Sequence, residues 1–172
     1  EQAKSVDEII LVCRDEDKEQ LNTCVHMAGI TKPVIFTLGG TSRQQSVFSG
    51  VRACASQTEY IIIHDGARPL ITWDLIEKVT ADAFTYGAAA LGVPVKDTIK
   101  VTNAQGFATA TPDRSTLWAV QTPQVFEKTS YLSAVKQAIQ QEADYTDDCQ
   151  LMEQLGNQVH LCMGSYENIK LT

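Results

Sequence analysis

Short apolar runs alternate with amphipathic stretches through the first 94 residues of the chain. "DEIILVC" (residues 7–13) ends in a contiguous apolar run too short for a helix, which predicts a buried strand. "EDKEQLNTCVHMAG" predicts a helix closed by Gly29, and "PVIFTLGG" predicts the next strand. In "TSRQQSVFSGVRACAS", Val47, Val51 and Cys54 recur at helical spacing, with Thr41 or Ser42 placed to cap. The β-branched run Ile61, Ile62, Ile63 predicts a strand buried on both faces of a parallel sheet. "TWDLIEKVTADAFTYG" predicts a helix capped by Thr72 and stopped near Gly87, and "AAALGVPV" a short strand ending at Pro94. This alternation implies parallel strands joined by right-handed crossovers.

After Pro94 the pattern changes. "DTIKVT", "FATATP" and "LWAVQTPQVF" are short β-prone pieces, the first two joined by the turn-prone "NAQG". They read as a hairpin leaving the sheet, an arm over about residues 97–117. A hairpin of that size cannot bury its own faces. Exposed strand edges are usually paired or covered, and the simplest cover is the same arm of a second subunit in a two-fold contact. A homodimer through the β-arm is therefore expected. Helical sequence returns at "KTSYLSAVKQAIQQE" and at "TDDCQLMEQLG", where Thr146 is placed to cap. "VHLCMGS" and "NIKLT" close with strand character, so Lys170 should face away from Ile169 and Leu171. With no repeat or linker, residues 1–172 read as one α/β domain: a mostly parallel sheet flanked by helices, with a protruding β-arm.

Composition narrows the function classes. A net charge of −7 argues against a general nucleic-acid surface, which needs a basic face. No apolar stretch approaches the ~20 residues that span a bilayer, so no membrane partner is expected. The five cysteines are scattered, without the close spacing of a zinc or redox motif, which predicts reduced thiols in a cytoplasmic protein. The chain opens without methionine, partway into an element, and closes on a strand; it reads as a fragment.

Several stretches carry candidate chemistry. "HDGARP" puts Asp65 just past the Ile61 strand, where open α/β sheets bind ligands. Gly66 permits close backbone approach there, although an Asp in such a turn also simply satisfies amides. "LGGTSRQQS" sets two glycines at a strand end with a helix start directly after, an anion-binding arrangement or an ordinary tight turn. Arg43 and Ser46 lie near that terminus. Lys96, Asp97, Thr98 and Lys100 in "PVKDTIK" read by default as a solvated edge, Arg114 as a surface arginine, and Thr122 as part of a rigid polar turn before Pro123. Lys170 among strand residues reads by default as an edge guard. His26 and His160 lack the neighbours of a metal site and read as structural, and alternation turns His64 to the face opposite Asp65.

The order of these stretches says more than any one of them. "GGTSRQQSV", "HDGARP", "VPVKDTIK", "LWAVQTPQVF", "YTDD" and "SYENIKLT" occur in this sequence and at these separations. Together they resemble the 2-C-methyl-D-erythritol 4-phosphate cytidylyltransferase family of the non-mevalonate isoprenoid pathway, from about residue 7 to residue 172. Ribitol-5-phosphate cytidylyltransferases share several of these motifs, while the fuller "KDTIK" and "LWAVQTPQ" favour methylerythritol phosphate. A non-catalytic nucleotide-binding domain is the reading from another class.

The resemblance implies a Rossmann-like nucleotidyltransferase fold acting on CTP and a sugar-alcohol phosphate, with Mg²⁺ as cofactor. It implies that Asp65 helps to hold Mg²⁺ on the nucleotide phosphates and that Gly66 leaves room for the nucleotide. Gly39, Gly40, Thr41 and Ser46 match the cytidine pocket, although the family often has Asp where this chain has Thr41. Arg68, Thr98 and Arg114 match positions that grip the sugar-alcohol phosphate, some of them reaching from a partner's arm. Thr122 and Thr146 match further substrate contacts, and Lys170 matches the lysine that steadies the reacting phosphates. The family begins with a strand, central in its sheet, and a glycine-rich loop bearing Arg and Lys. Nothing before Val6 matches that loop, and a C-terminal helix is also expected beyond this chain.

Overall fold

The computed structural model describes residues 1–141, 145 and 147–171. The first unit is β1 (Ile9–Cys13), α1 (Lys18–Met27) and β2 (Val34–Leu38), with β1 and β2 parallel from Ile9↔Val34 to Cys13↔Leu38. α2 (Arg43–Ala53) packs across this pair. The residues of β1 are half-buried, with Val12 exposed, rather than fully buried as the apolar run predicts. The reason is tertiary: among the described residues β1 is hydrogen-bonded to β2 alone and is not joined to the main sheet.

That sheet has four strands. β3 (Tyr60–Ile63) is followed by α3 (Trp73–Tyr86), β4 (Ala88–Pro94), β7 (Trp118–Glu127) and β8 (His160–Met163), after the arm strands β5 (Val101–Thr102) and β6 (Ala108–Ala110). The spatial order is β3-β7-β4-β8. β7 is antiparallel to both neighbours and β4 is parallel to β8, so β3, β4 and β8 run one way and β7 alone runs against them. "LWAVQTPQVF" is therefore not part of the arm, as its length and composition suggest, but the strand that fills the space between β3 and β4. Gln121 to Phe126 are all buried, which only a central position provides. Pro123 is tolerated in a central strand because Gln121–Pro123 lie in a bulge, where the ladder to β4 jumps from Ala90↔Gln124 to Gly92↔Val120.

Alternation along the strands builds two cores. Ile61, Ala88, Ala90 and Phe126 face one side, against α2, α4 (Lys128–Gln140) and α5 (Asp148–Gln154). Ala89, Leu91, Val125 and Cys162 face the other, against Val79 and Ala83 of α3. Gly87 ends α3 in the left-handed region at φ 84°. Thr72 holds the N-cap position of that helix without a side-chain bond, whereas Ser42 caps α2 by accepting from the Gln45 amide. Thr146, expected to cap α5, lies outside the described residues; Asp147 caps it, accepting from the Cys149 amide.

The arm is a bare two-stranded hairpin. Val101 pairs with Ala110 and Thr102 with Ala108, around a turn in which Asn103 Oδ1 accepts from the Gln105 and Phe107 amides. Every residue from Val101 to Ala110 is exposed, and Phe107 is 72% accessible. Asn168 to Leu171 form no strand: the Asn168 amide donates to Ser165 O and that of Ile169 to Glu167 O in tight turns, and the Leu171 amide donates to Ala67 O. Ile169 and Leu171 are both exposed.

Candidate active site

β3 ends at Ile63, and its chain direction delivers His64 and Asp65 beyond the sheet edge. The Asp65 amide donates to Thr122 Oγ1 (3.0 Å), which ties the strand end to the β7 bulge. Thr122 Oγ1 is also 3.1 Å from His64 Nδ1, and His64 Nε2 is 3.1 Å from Arg68 O. A carbonyl only accepts, so Nε2 carries the proton, and the neutral ring accepts the Thr122 hydroxyl hydrogen at Nδ1. Burial holds His64 below its ordinary value, in keeping with a neutral ring. The Thr122 hydroxyl is thereby used inside the protein.

Cations converge on the Asp65 carboxylate. Lys170 Nζ donates to Oδ2 at 2.8 Å, and Arg43 stands 3.8 Å from Oδ1. Burial works against the Asp65 charge, but the Lys170 hydrogen bond and charge, with Arg43 and Arg68 behind them, hold the carboxyl below its usual value. Arg68 is aimed by its own bond from Nη1 to Asn168 O, 2.7 Å. Asn168, fully buried, donates from Nδ2 to Thr122 O (2.9 Å) and Gln121 Oε1 (3.2 Å). Lys170 therefore reaches Asp65 from a turn pinned to β7 and not from a strand.

Arg43 has a second, closer partner: Asp148 Oδ2 at 2.7 Å. Asp148 is 2% exposed, and its Oδ1 accepts from the Tyr131 hydroxyl at 2.6 Å. Burial alone would weaken the Arg43 charge, but the Asp148 pair outweighs it and holds the guanidinium above its ordinary value. Arg43 is thus committed to an ion pair between α2 and α5 as well as facing the site.

The glycine corner is tightly folded on itself. The Gly40 amide donates to Ser46 Oγ (3.0 Å), which donates to Ser42 O (2.9 Å). The Thr41 amide and hydroxyl both donate to Gln45 Oε1, at 2.9 and 2.7 Å. A Cβ on Gly40 would lie 2.4 Å from Gln45 Cβ, so the first turn of α2 itself demands glycine there. A Cβ on Gly66 would meet nothing within 4 Å, leaving open space beside Asp65.

The structure brings together Asp65, Arg68, Thr122 and Lys170, with Gly39–Ser46 adjoining through Arg43. Thr98 and Arg114 sit apart at the arm root. Arg114 Nη1 bonds to Lys96 O (2.7 Å), and among the described residues neither residue is bonded to the Asp65 group. Thr146 lies outside the described residues. Sequence reasoning missed Asn168, Gln121, His64, Asp148 and Tyr131. The "NIK" and "TDD" strings flag two of these by adjacency, whereas nothing local distinguishes Tyr131 from other core positions of α4.

As a cation site, Asp65 offers one carboxylate. Its Oδ1 accepts no hydrogen bond among the described residues, and no group of three or more His, Cys, Asp or Glu there is placed to hold a metal. That donor set fits Mg²⁺ only where phosphate oxygens complete the sphere, the usual arrangement for this ion.

Residues 1–172, the whole chain, match the family described as IspD: 2-C-methyl-D-erythritol 4-phosphate cytidylyltransferase. This chain belongs to that family. Among curated proteins, the 2-C-methyl-D-erythritol 4-phosphate cytidylyltransferase of Desulforamulus reducens is 43% identical over 173 residues, covering 100% of this chain and 74% of the relative. That of Caldanaerobacter subterraneus is 44% identical, covering 97% of the chain and 74% of the relative. Among solved structures, 4-diphosphocytidyl-2C-methyl-D-erythritol synthase from Anaerococcus prevotii superposes with TM-score 0.92 at 30% identity, covering 99% of this chain and 75% of that one. The cytidylyltransferase of Thermus thermophilus gives TM-score 0.76 at 25% identity, covering 97% and 92%. The cytidylyltransferase family thus has a member here whose polar centre is built from "HDGARP", "QTPQ" and "ENIK".

Proposed function

We propose that the protein transfers a cytidylyl group from CTP to 2-C-methyl-D-erythritol 4-phosphate, releasing pyrophosphate and supplying isoprenoid precursor synthesis. The observation that supports this most directly is the Asp65–Lys170 pair at the end of β3, with Arg43 3.8 Å from Asp65 Oδ1 and Arg68 among the charges that hold its carboxyl below the usual value. Such a transfer forms one P–O bond, from the acceptor phosphate to the α-phosphorus of CTP, and breaks the P–O bond to pyrophosphate. It needs alignment and charge neutralisation more than acid–base chemistry. Lys170 and Arg68 hold the acceptor phosphate beside the triphosphate, Asp65 orients Lys170, and the Gly39–Ser46 corner abuts the nucleoside. Mg²⁺, carried by Asp65 Oδ1 with phosphate oxygens, would neutralise charge on the phosphates when bound.

Two further features belong to the same reading. The exposed arm, with Phe107 and Val101 bare, is best covered by a second subunit, and that contact would carry Arg114 and Thr98 to a neighbour's acceptor site. The five free cysteines suit a reducing cytoplasm, and no helix among the described residues is long and apolar enough to cross a membrane.

The test is pyrophosphate release by the complete protein with CTP and Mg²⁺, offered methylerythritol 4-phosphate or ribitol 5-phosphate. Preference for the first acceptor supports the proposal. Preference for ribitol 5-phosphate reassigns the acceptor, and nucleotide binding without turnover of either would make the protein a non-catalytic binding domain.

A further inference from the structure

Asn168 is fully buried, yet it joins three of the residues expected to meet substrate. Its side-chain amide donates to the Thr122 carbonyl and to Gln121 Oε1 in the β7 bulge. Its main-chain carbonyl receives the Arg68 guanidinium at 2.7 Å. Two residues on, Lys170 meets Asp65. Gln121 is held in turn, donating from Nε2 to Ser165 O at 2.8 Å, and Gly164 is the residue that admits it: a Cβ there would lie 2.6 Å from Gln121 Oε1. The segment carrying Lys170 has no strand ladder of its own, so these side-chain bonds and the Leu171–Ala67 bond are what set its position.

We propose that Asn168 is the positioning residue for the acceptor phosphate, setting Arg68 and Lys170 at one spacing from a single anchor on β7. The inference rests on the cytidylyltransfer reading of the site. Its physical basis is directional. Two donated bonds to a buried carbonyl and a buried amide oxygen require an –NH₂ at Nδ2; a carboxylate of the same shape would set oxygen against oxygen at both contacts. An added negative charge would also draw Arg68 and Lys170 away from phosphate. The Gly39–Ser46 corner has no bond to Asn168 among the described residues, so nucleotide binding should be unaffected.

The experiment compares Asn168→Asp with the unaltered complete protein, using CTP and methylerythritol 4-phosphate. The expected result is a loss on the order of 10²-fold in kcat/KM for the acceptor, the scale of a misplacement of about 1 Å, carried by both kcat and acceptor KM. The Kd for CTP, measured by calorimetry, should stay within about twofold. Val79→Ala, on the buried face of α3, controls for general destabilisation: it should lower the melting temperature and leave acceptor KM unchanged. If Asn168→Asp fails to fold, Gln121→Glu, which places a carboxylate against Ser165 O, disturbs the same anchor and should give the same split. Unchanged acceptor kinetics in the folded variant, or equal losses in CTP affinity and acceptor KM, would overturn the proposal. No turnover by the unaltered protein would instead overturn the underlying activity.

Discussion

At the scale of single residues, the Asp65–Lys170 pair lets a structural role be told from the proposed catalytic one. Their pair is half-exposed on the lysine side, so its contribution to stability is small, on the scale of surface ion pairs. In the proposed role, as a fixed charge beside reacting phosphates, the same ammonium would matter far more. Lys170→Ala should lower kcat by orders of magnitude, about 2–4 kcal/mol of transition-state stabilisation, with little change in melting temperature. A variant altered only in stability would make Lys170 a partner of Asp65 and nothing more. The sign of the pH effect follows from Asp65, whose folded value is depressed below 3.8. Its stabilising contribution is complete above the ordinary Asp value and is lost as pH falls through the lowered folded value. Asp65→Asn should therefore flatten this acid limb in urea titrations taken between neutral pH and the depressed range. An acid limb identical to that of the unaltered protein would contradict the ion pair.

At the scale of elements, α5 is docked by charge as well as by its apolar face. Leu151 and Met152 bury one side, while Asp148 pairs with Arg43 of α2 and accepts from Tyr131 of α4. Three helices meet at one buried carboxylate. Asp148→Ala strands the Tyr131 hydroxyl and releases Arg43, and should cost about 1–3 kcal/mol by leaving a buried donor unpaired. Tyr131→Phe removes the donor, keeps the Arg43 ion pair, and should cost less. Denaturant midpoints at constant slope measure both, and an equal cost would show that the hydroxyl bond and not the ion pair secures the helix. A released Arg43 stands near enough to Asp65 to compete for its carboxylate, so Asp148→Ala should also weaken turnover.

For the whole molecule, the question is whether one chain completes the acceptor site. Arg114 is bonded within the arm root, to Lys96 O, and the hairpin beyond it is exposed throughout. If arms are exchanged, an Arg114→Ala subunit and an Asp65→Asn subunit, each inactive alone, should together regain one intact site per mixed dimer. Proven subunit exchange with no recovery would show that each chain completes its own site. The break between the β1–β2 pair and the four-stranded sheet bears on the same scale. β1 and β3 each keep one edge without a strand partner among the described residues, so complementation belongs in the complete protein.

Local pattern determined the parts. The helical spacing of Val47 and Val51, the Ile61–Ile63 run and Gly87 at a helix stop each reflect a constraint acting within a few residues, and a helix, a strand and a helix end stand there. Cys54, however, is an extended cap just past α2, and β3 lies at the sheet edge beside antiparallel β7 and not within a parallel sheet. "HDGARP", "QTPQ" and "ENIK" marked the candidate site through the family resemblance they carry: the first follows the end of β3 and the second forms the β7 bulge, whereas the third lies in a turn beyond β8. Partners were beyond reach of such reasoning. Periodicity names the face a residue presents and not the surface it meets, so "LWAVQTPQVF" read as arm although its burial on both sides makes it the strand between β3 and β4. "NIKLT" read as a strand because its composition suits one, while Asn168 found more bonds in a turn. The contacts that define the centre join residues 100 and 105 positions apart, Arg68 to Asn168 and Asp65 to Lys170. Only chain closure brings such pairs within hydrogen-bonding distance, and that is why tertiary structure alone decided which polar residues form the site.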